Sequence, residues 1–239
     1  MTGVILRDLS GIAEFDQAEA LQRAVWGKGD KEDPADLMMV IQSEGGLVAG
    51  AFQGAELLGY VFAFPTRDPK VQHSHRLAVL GAARGMGLGA GLKLYQRDWC
   101  LSRGITHVRW TYDPIRAANA QLNVGRLGGR SHTYLPDYYG VMAGINAGVP
   151  SDRLMLDWHL DSPNVAASIA GQPPLSAKEM AQAERIAIPV DFGALLQTDP
   201  ATAQGERLRV RAQMQSAFAR GLEIAAYSAQ TRDYLLLPR

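Results

Sequence analysis

The chain has 239 residues, 47% hydrophobic and 20% charged, with 24 Lys and Arg against 24 Asp and Glu. That length buries a sizeable core, and the even charge balance advertises neither a nucleic acid nor an anionic membrane as partner. A single cysteine, Cys100, excludes an intrachain disulfide framework and the multi-cysteine zinc motifs, so a reducing compartment and no metal are expected.

Near the N-terminus, Arg7 and Asp8 stand where a secretion signal needs its apolar run. No stretch reaches the roughly 18 consecutive apolar residues of a spanning helix, so a cytoplasmic protein is expected. Val4-Ile5-Leu6 reads as a first strand, followed by an amphipathic helix through Ala13, Phe15, Ala18, Leu21 and Val25. Asp33-Pro34-Ala35-Asp36 starts a second helix that Gly45-Gly46 ends. Gly46 to Phe52 and Leu57 to Phe64 form a hairpin around Gln53-Gly54-Ala55-Glu56. His73 to Leu80 is the next strand. Its helix, from about Gly87 to Arg103, carries Leu88, Leu92, Tyr95 and Trp99 on one face and stops at Gly104.

His107 to Tyr112 alternates as a strand and Asp113-Pro114 ends it. A helix over Arg116 to Leu127 closes on Gly128-Gly129, and Leu154 to Leu160 is a further strand. From Asp161 the chain loosens between Ser162-Pro163-Asn164 and Gly171-Gln172-Pro173-Pro174. Beyond lie helices near Ser176 to Glu184 and Ala203 to Arg220, and strands at Ile186 to Ile188 and Tyr234 to Leu237. The pattern predicts a mixed α/β (α+β) domain over residues 1–160 and a smaller α/β lobe over 161–239.

Between the fourth strand and its helix stand five glycines, Gly81, Gly85, Gly87, Gly89 and Gly91. Such a loop turns backbone N–H groups toward one spot, and the following helix adds roughly half a positive charge there. Bare backbone lets a phosphate approach closely. No Lys-Ser/Thr pair follows to make a P-loop. A dinucleotide fingerprint from Gly85 and Gly87 would place Ala90 in its third position, leaving Arg84 unused, and a nucleotide-binding Rossmann protein stays as a rival reading. The remaining pattern is Arg84-Gly85-Met86-Gly87-Leu88-Gly89.

Leu77-Ala78-Val79-Leu80-Gly81-Ala82-Ala83-Arg84-Gly85-Met86-Gly87-Leu88-Gly89 resembles the acyl-CoA-binding motif of the GNAT superfamily of N-acyltransferases. The resemblance implies a GNAT-type fold with a central mixed sheet over about residues 4–160. It implies that the backbone of Leu77, Ala78 and Val79 pairs with the pantetheine arm, and that Arg84, Gly85, Met86, Gly87, Leu88 and Gly89 hold the pyrophosphate. The stretch from Asn119-Ala120 to Leu127-Gly128 resembles the family's second region and assigns Asn119 to the cofactor arm, with helix capping as its structural alternative. Trp110 to Pro114, Asn119-Ala120 and Ser151-Asp152-Arg153 look like one bacterial branch of predicted acyltransferases, some of which acylate amino acids, with succinyl as an alternative to acetyl. A homodimer is implied by the resemblance alone.

Transfer of an acyl group to an amine needs a base, an oxyanion donor and a proton for the departing thiolate. Histidine exchanges protons near neutral pH. His73 and His75, two apart on a strand, share a face that regular alternation extends to Leu77 and Val79. The run His73 to Val79 resembles the His-x-His-x-Leu-Ala-Val stretch of arylalkylamine N-acetyltransferases, where the histidines relay protons, and that implies His75 and His73 as the base pair. A backbone N–H near Leu77 to Val79 is the implied oxyanion donor. Many family members place the acid, a tyrosine, where this chain has Val124; Tyr139, or else Tyr134 or Tyr138, is the candidate substitute, with packing as the structural alternative.

Asp113 reads as a strand-end or capping residue, with lining of the acceptor site as its alternative, Asp152-Arg153 as a structural ion pair or a binder of a charged acceptor, Cys100 as buried, and Arg207, Arg209 and Arg211 as a solvated helix face. The expected function is acyl-CoA-dependent N-acyl transfer, acetyl or another short acyl, to a small amine. A CoA-binding module without efficient catalysis is the alternative.

Overall fold

The computed structural model describes residues 3–27, 31–140 and 148–239. By its internal contacts the chain divides into Met1–Val108 and Arg109–Arg239. In the first unit the elements are β1 (Val4–Asp8), α1 (Ile12–Trp26), α2 (Ala35–Ser43), β2 (Leu47–Gln53), β3 (Glu56–Pro65), β4 (Val71–Val79) and α3 (Leu88–Leu101). The strands run β1-β2-β3-β4 as an antiparallel meander, its hairpin joining Gln53 to Glu56 as expected.

β2 is buried on both faces, which is why Leu47 to Phe52 reads as an unbroken apolar and small-residue run. On one side Phe15, Ala18, Leu21 and Met38 of the first two helices pack on Phe52, Tyr60, Phe62 and Ala78. On the other, Leu88 and Leu92 of α3 pack on Ala49, Ala51, Val61 and Ala63, with Leu77 and Val79 at the margin. Small residues in β2 and β3 bring backbone close to backbone. At Gly59 a Cβ would lie 2.8 Å from the Ala78 carbonyl oxygen, so any larger residue would push β3 from β4.

The second unit takes up β5 (His107–Tyr112), in which the division falls, then α4 (Ala117–Ala120), β6 (Arg130–Leu135), β7 (Arg153–His159), α5 (Pro163–Ile169), α6 (Ala177–Gln182), β8 (Glu184–Ala187), α7 (Phe192–Thr198), α8 (Pro200–Ala219), β9 (Leu222–Ser228) and β10 (Asp233–Pro238). Its strand order is β5-β7-β6-β9-β10-β8. The helix expected over Arg116 to Leu127 is one α-helical turn that widens into a π-helical stretch, Gln121–Arg126. Fully buried Trp158 meets Trp110 edge to face at 5.7 Å and donates its indole N–H to the Leu127 carbonyl at 2.8 Å.

The break expected near residue 160 falls inside this unit. β9 pairs antiparallel with β6 through Ser131 and Ile224, and Ser131 Oγ donates to the Met155 carbonyl at 2.7 Å. Residues 222–238 therefore extend the sheet that contains β6 and β7. Four elements were not expected: β6, α5, α7 and β9. Ser162-Pro163, read as a loop, is a helix start, with the Ser162 hydroxyl accepting the Val165 amide and proline in the first turn.

No helix among the described residues is long and apolar enough to cross a membrane. No group of three or more His, Cys, Asp or Glu among them could hold a metal ion.

Candidate functional site

β4 runs into a single 3-10 turn, Gly81–Ala83, and then the glycine loop. Gly85 and Gly87 have φ of +83° and +76°, the left-handed region that glycine enters without steric cost. A Cβ at either would meet nothing within 4 Å, so the space in front of them is open. Gly87 is the N-cap of α3 and no side chain caps that end. The first helical bond is Gly91 N–H to the Gly87 carbonyl at 3.0 Å, which leaves the amides of Leu88, Gly89 and Ala90 without intrahelical acceptors. Arg84 and Met86 are exposed beside them. The loop is therefore a bare, electropositive helix end, suited to an anionic oxygen.

Upstream, the β3–β4 ladder slips. Phe62 pairs with Arg76 but Ala63 pairs with Ser74, so His75 is an extra residue, a β-bulge. Leu77 and Val79 face the α3 core, whereas His73 and His75 face the other side: His73 stacks on Phe64 at 4.9 Å and His75 lies 5.7 Å from Phe62. The histidines do share a face, 6.3 Å apart, but not with Leu77 and Val79 as regular alternation predicts. The bulge reverses the alternation between them.

His75 Nε2 lies 3.3 Å from Asp33 Oδ1, and Arg76 Nε donates to Asp33 Oδ2 at 2.8 Å. Burial pushes the Asp33 carboxyl up, but His75 and Arg76 outweigh it and hold the group below its ordinary value. Asp33 is pinned from behind by Gln22 of α1, 1% exposed, whose side chain accepts the Asp33 amide at 2.8 Å and donates to its carbonyl at 3.2 Å.

Behind the bulge on the α3 side lies a buried polar cluster. Lys93 Nζ donates to Ser74 Oγ at 3.0 Å and to Gln96 Oε1 at 2.8 Å. Gln96 Nε2 donates to Gln72 Oε1 at 2.7 Å, which also accepts Cys100 Sγ at 3.2 Å. Burial drives the Lys93 amine well below its usual value, against the opposing pull of Cys100, and pushes the Cys100 thiol up to about 12. A lysine whose pKa falls on folding binds fewer protons in the native state, so stability rises with pH up to the unfolded value of about 10.4. The stability of wild type relative to Lys93→Met should therefore increase as pH rises from 7 to 9, measured by urea unfolding; an unchanged difference would show Lys93 to be charged in the fold.

In the second unit, Tyr139 is half-exposed and its hydroxyl lies 3.0 Å from Thr111 Oγ1. Its amide donates to Ser151 Oγ at 2.9 Å, and the Arg153 guanidinium lies 5.1 Å from its ring centre. Tyr134 is otherwise engaged. Its hydroxyl donates to Asp152 Oδ2 at 2.7 Å, and burial together with that carboxylate raises its pKa, an arrangement that opposes its use as a proton donor. Val124 is fully buried, so the position at which the resemblance implies a tyrosine is part of the core here. Asn119 is half-buried and reaches back to the Asp113 carbonyl at 3.5 Å.

The aspartates and arginines differ from expectation. Asp113, 6% exposed, takes a bidentate pair from Arg207, 2% exposed, at 2.6 and 2.9 Å. Asp152 is paired with Arg211 at 2.9 and 2.5 Å, while Arg153 donates to the Asp152 carbonyl at 2.8 Å. The arginine series on α8 is thus no solvated face. Arg207 and Arg211 point inward and only Arg209 pairs at the surface, with Glu206. The one clue was four-residue spacing, which puts Arg207 and Arg211 on the same side as buried Ala203. A cavity of about 580 Å³ in this unit, between Arg130, Asp157, His159 and Asn164, holds none of the expected site residues.

Residues 14–122 match the family model for the acetyltransferase (GNAT) family. No curated protein matches the chain. Among solved structures, the ribosomal-protein-S18-alanine N-acetyltransferase of Escherichia coli is 16% identical, with a TM-score of 0.55 over 66% of this chain and 95% of its own. Aminoglycoside 6'-acetyltransferase type Ii is 18% identical, with a TM-score of 0.55 over 66% and 98%. A phosphinothricin acetyltransferase from Sinorhizobium meliloti, solved in complex with AcCoA, is 16% identical, with a TM-score of 0.52 over 65% and 88%. At these identities the likeness is one of fold.

Proposed function

We propose that the protein is an acyl-CoA-dependent N-acyltransferase, because residues 14–122 match the model of the acetyltransferase (GNAT) family. The observation that carries the reading is the uncapped, glycine-lined N-terminus of α3 directly after β4. The amides of Leu88, Gly89 and Ala90, with Gly85, Met86, Gly87 and Arg84 around them, take the diphosphate of the acyl carrier. Backbone groups of Leu77, Ala78 and Val79 take its pantetheine arm, and Asn119 is a second contact to it. The acyl group is acetyl or a short alternative such as succinyl. The acceptor is a small amine, with amino acids the first to try.

In the reaction the amine nitrogen attacks the thioester carbonyl carbon, a C–N bond forms and the C–S bond breaks. An ammonium acceptor first loses a proton to the base, assigned to His75 with His73 beside it. The proton shed as the amide forms neutralises the departing thiolate, and Tyr139 is the hydroxyl assigned to deliver it. Holding two reactants in register can itself remove about 7–11 kcal/mol of barrier in favourable cases, so the side chains need add little.

Fully buried Val124 favours one other reading, a CoA-binding protein without efficient transfer. Thiol release from acetyl-CoA and succinyl-CoA, followed over a panel of amines, separates the two. Tight CoA binding with no transfer to any acceptor would overturn the enzyme reading. In an active enzyme, His75→Gln should lower turnover about 100-fold or more, most strongly at low pH where little free amine exists. A variant with wild-type turnover across the pH range would remove His75 from the mechanism.

A further inference from the structure

We propose that Asp33 is a positioning residue for His75, fixing the ring so that Nε2 carries the hydrogen and Nδ1 is the atom that takes the acceptor's proton. The inference rests on the reading of His75 as the base. Three observations within the first unit carry it. His75 is the extra residue of the bulge, so its place is set by what holds the bulge as well as by the ladder. Its ring directs Nε2 at a carboxylate oxygen 3.3 Å away, and a carboxylate can only accept. That oxygen's group is itself fixed: Arg76 takes Asp33 Oδ2, Arg76 Nη2 donates to the Lys31 carbonyl at 2.6 Å, and Gln22 holds the Asp33 backbone at both ends.

The bulge is thereby clamped from both sides. His75 and Arg76 are drawn to Asp33 on one face, while Ser74 is held by Lys93 and Gln96 on the other. Among the described residues, the charged and titratable groups beside the His75 ring are Asp33, Arg76 and His73, with Phe62 and Phe64 as its apolar walls. His75 and Arg76 keep Asp33 ionised, so its carboxylate is an acceptor that holds the ring by its Nε2–H. A carboxylate that orients and steadies a histidine base in this way acts through that base, without touching the substrate.

The test compares His75→Gln, Asp33→Asn and Asp33→Glu by steady-state kinetics with acetyl-CoA and an active amine. The expected result is a fall in kcat of about 10-fold or more in D33N, with KM for acetyl-CoA and CoA affinity unchanged, and partial recovery in D33E. Loss of CoA affinity in step with kcat would make Asp33 merely structural and overturn the proposal. A wild-type kcat in D33N, in an enzyme that H75Q impairs, would overturn it alone. A wild-type kcat in H75Q would overturn the base reading along with it. Should D33N fail to fold, two-bond proton–nitrogen correlation spectra of the wild type decide. The His75 signals, identified by their loss in H75Q, should show a protonated Nε2 and a bare Nδ1; the opposite tautomer would overturn the assignment.

Discussion

Gly87→Glu should bind coenzyme A at least about 100-fold more weakly than wild type, in equilibrium dialysis or calorimetry, while its thermal midpoint barely moves. The two halves of this expectation have different origins. A carboxylate at the first turn of a helix is favourable to the helix, by about 0.3–1 kcal/mol, because the N-terminal amides are electropositive. Forcing a non-glycine residue into the left-handed region at φ +76° costs about 1–2 kcal/mol, so the stability terms partly cancel. The binding terms do not cancel. The new carboxylate competes for the amides of Leu88, Gly89 and Ala90 and repels any phosphate brought near them. Gly87→Ala is the control that carries the strain without the charge, and it should lose far less affinity. A folded G87E with affinity within threefold of wild type would show that the diphosphate lies elsewhere.

The second large effect concerns stability. Arg207→Met should cost about 3 kcal/mol in urea unfolding, because it removes the bidentate partner of the buried Asp113 carboxylate and leaves it the longer Arg116 contact at 3.4 Å. Replacing both partners, as Asp113→Leu with Arg207→Met, should recover much of that loss, since apolar residues of similar volume replace a buried pair at little cost. The pH dependence has a definite sign. Burial pushes the Asp113 carboxyl up, but Arg207, Arg153 and Arg116 together pull it below its ordinary value. A carboxyl depressed on folding stabilises fully above the unfolded value of about 3.9 and loses that contribution as pH falls through the folded one. Acid unfolding below about pH 4 should therefore be shallower in the double variant than in wild type. A cost under 1 kcal/mol for R207M would mean that water reaches Asp113.

Much of the first unit was legible because its residues repeat with the period of their elements. Phe15, Ala18 and Leu21 mark α1, the unbroken Leu47 to Phe52 marks a strand buried on both faces, and the glycines at 85 and 87 mark a loop with positive φ. What alternation could not supply was the bulge at His75. A one-residue insertion in a ladder depends on the partner strand and leaves no periodic trace, so Leu77 and Val79 were placed on the wrong face. Asp33 was hidden by its neighbour: Asp-Pro reads as the start of a helix, and that reading accounts for it without a partner 42 residues away. The arginines of α8 look alike in sequence because charge alone does not say which way a side chain turns. Asp113 and Asp152 decide that, and they lie 94 and 59 residues distant.

The bidentate grip of Arg207 on Asp113 also ties the fate of the family-like segment to the chain's last third. Cutting the protein after Leu160 would take the bidentate partner from a buried anion and remove β9 from the side of β6. The exposed rim of amides and carbonyls on β6 would then be a template for a neighbouring copy to zip onto. An abbreviated version is thus headed for clumping, because the tail is a dowel set into the sheet of the second unit.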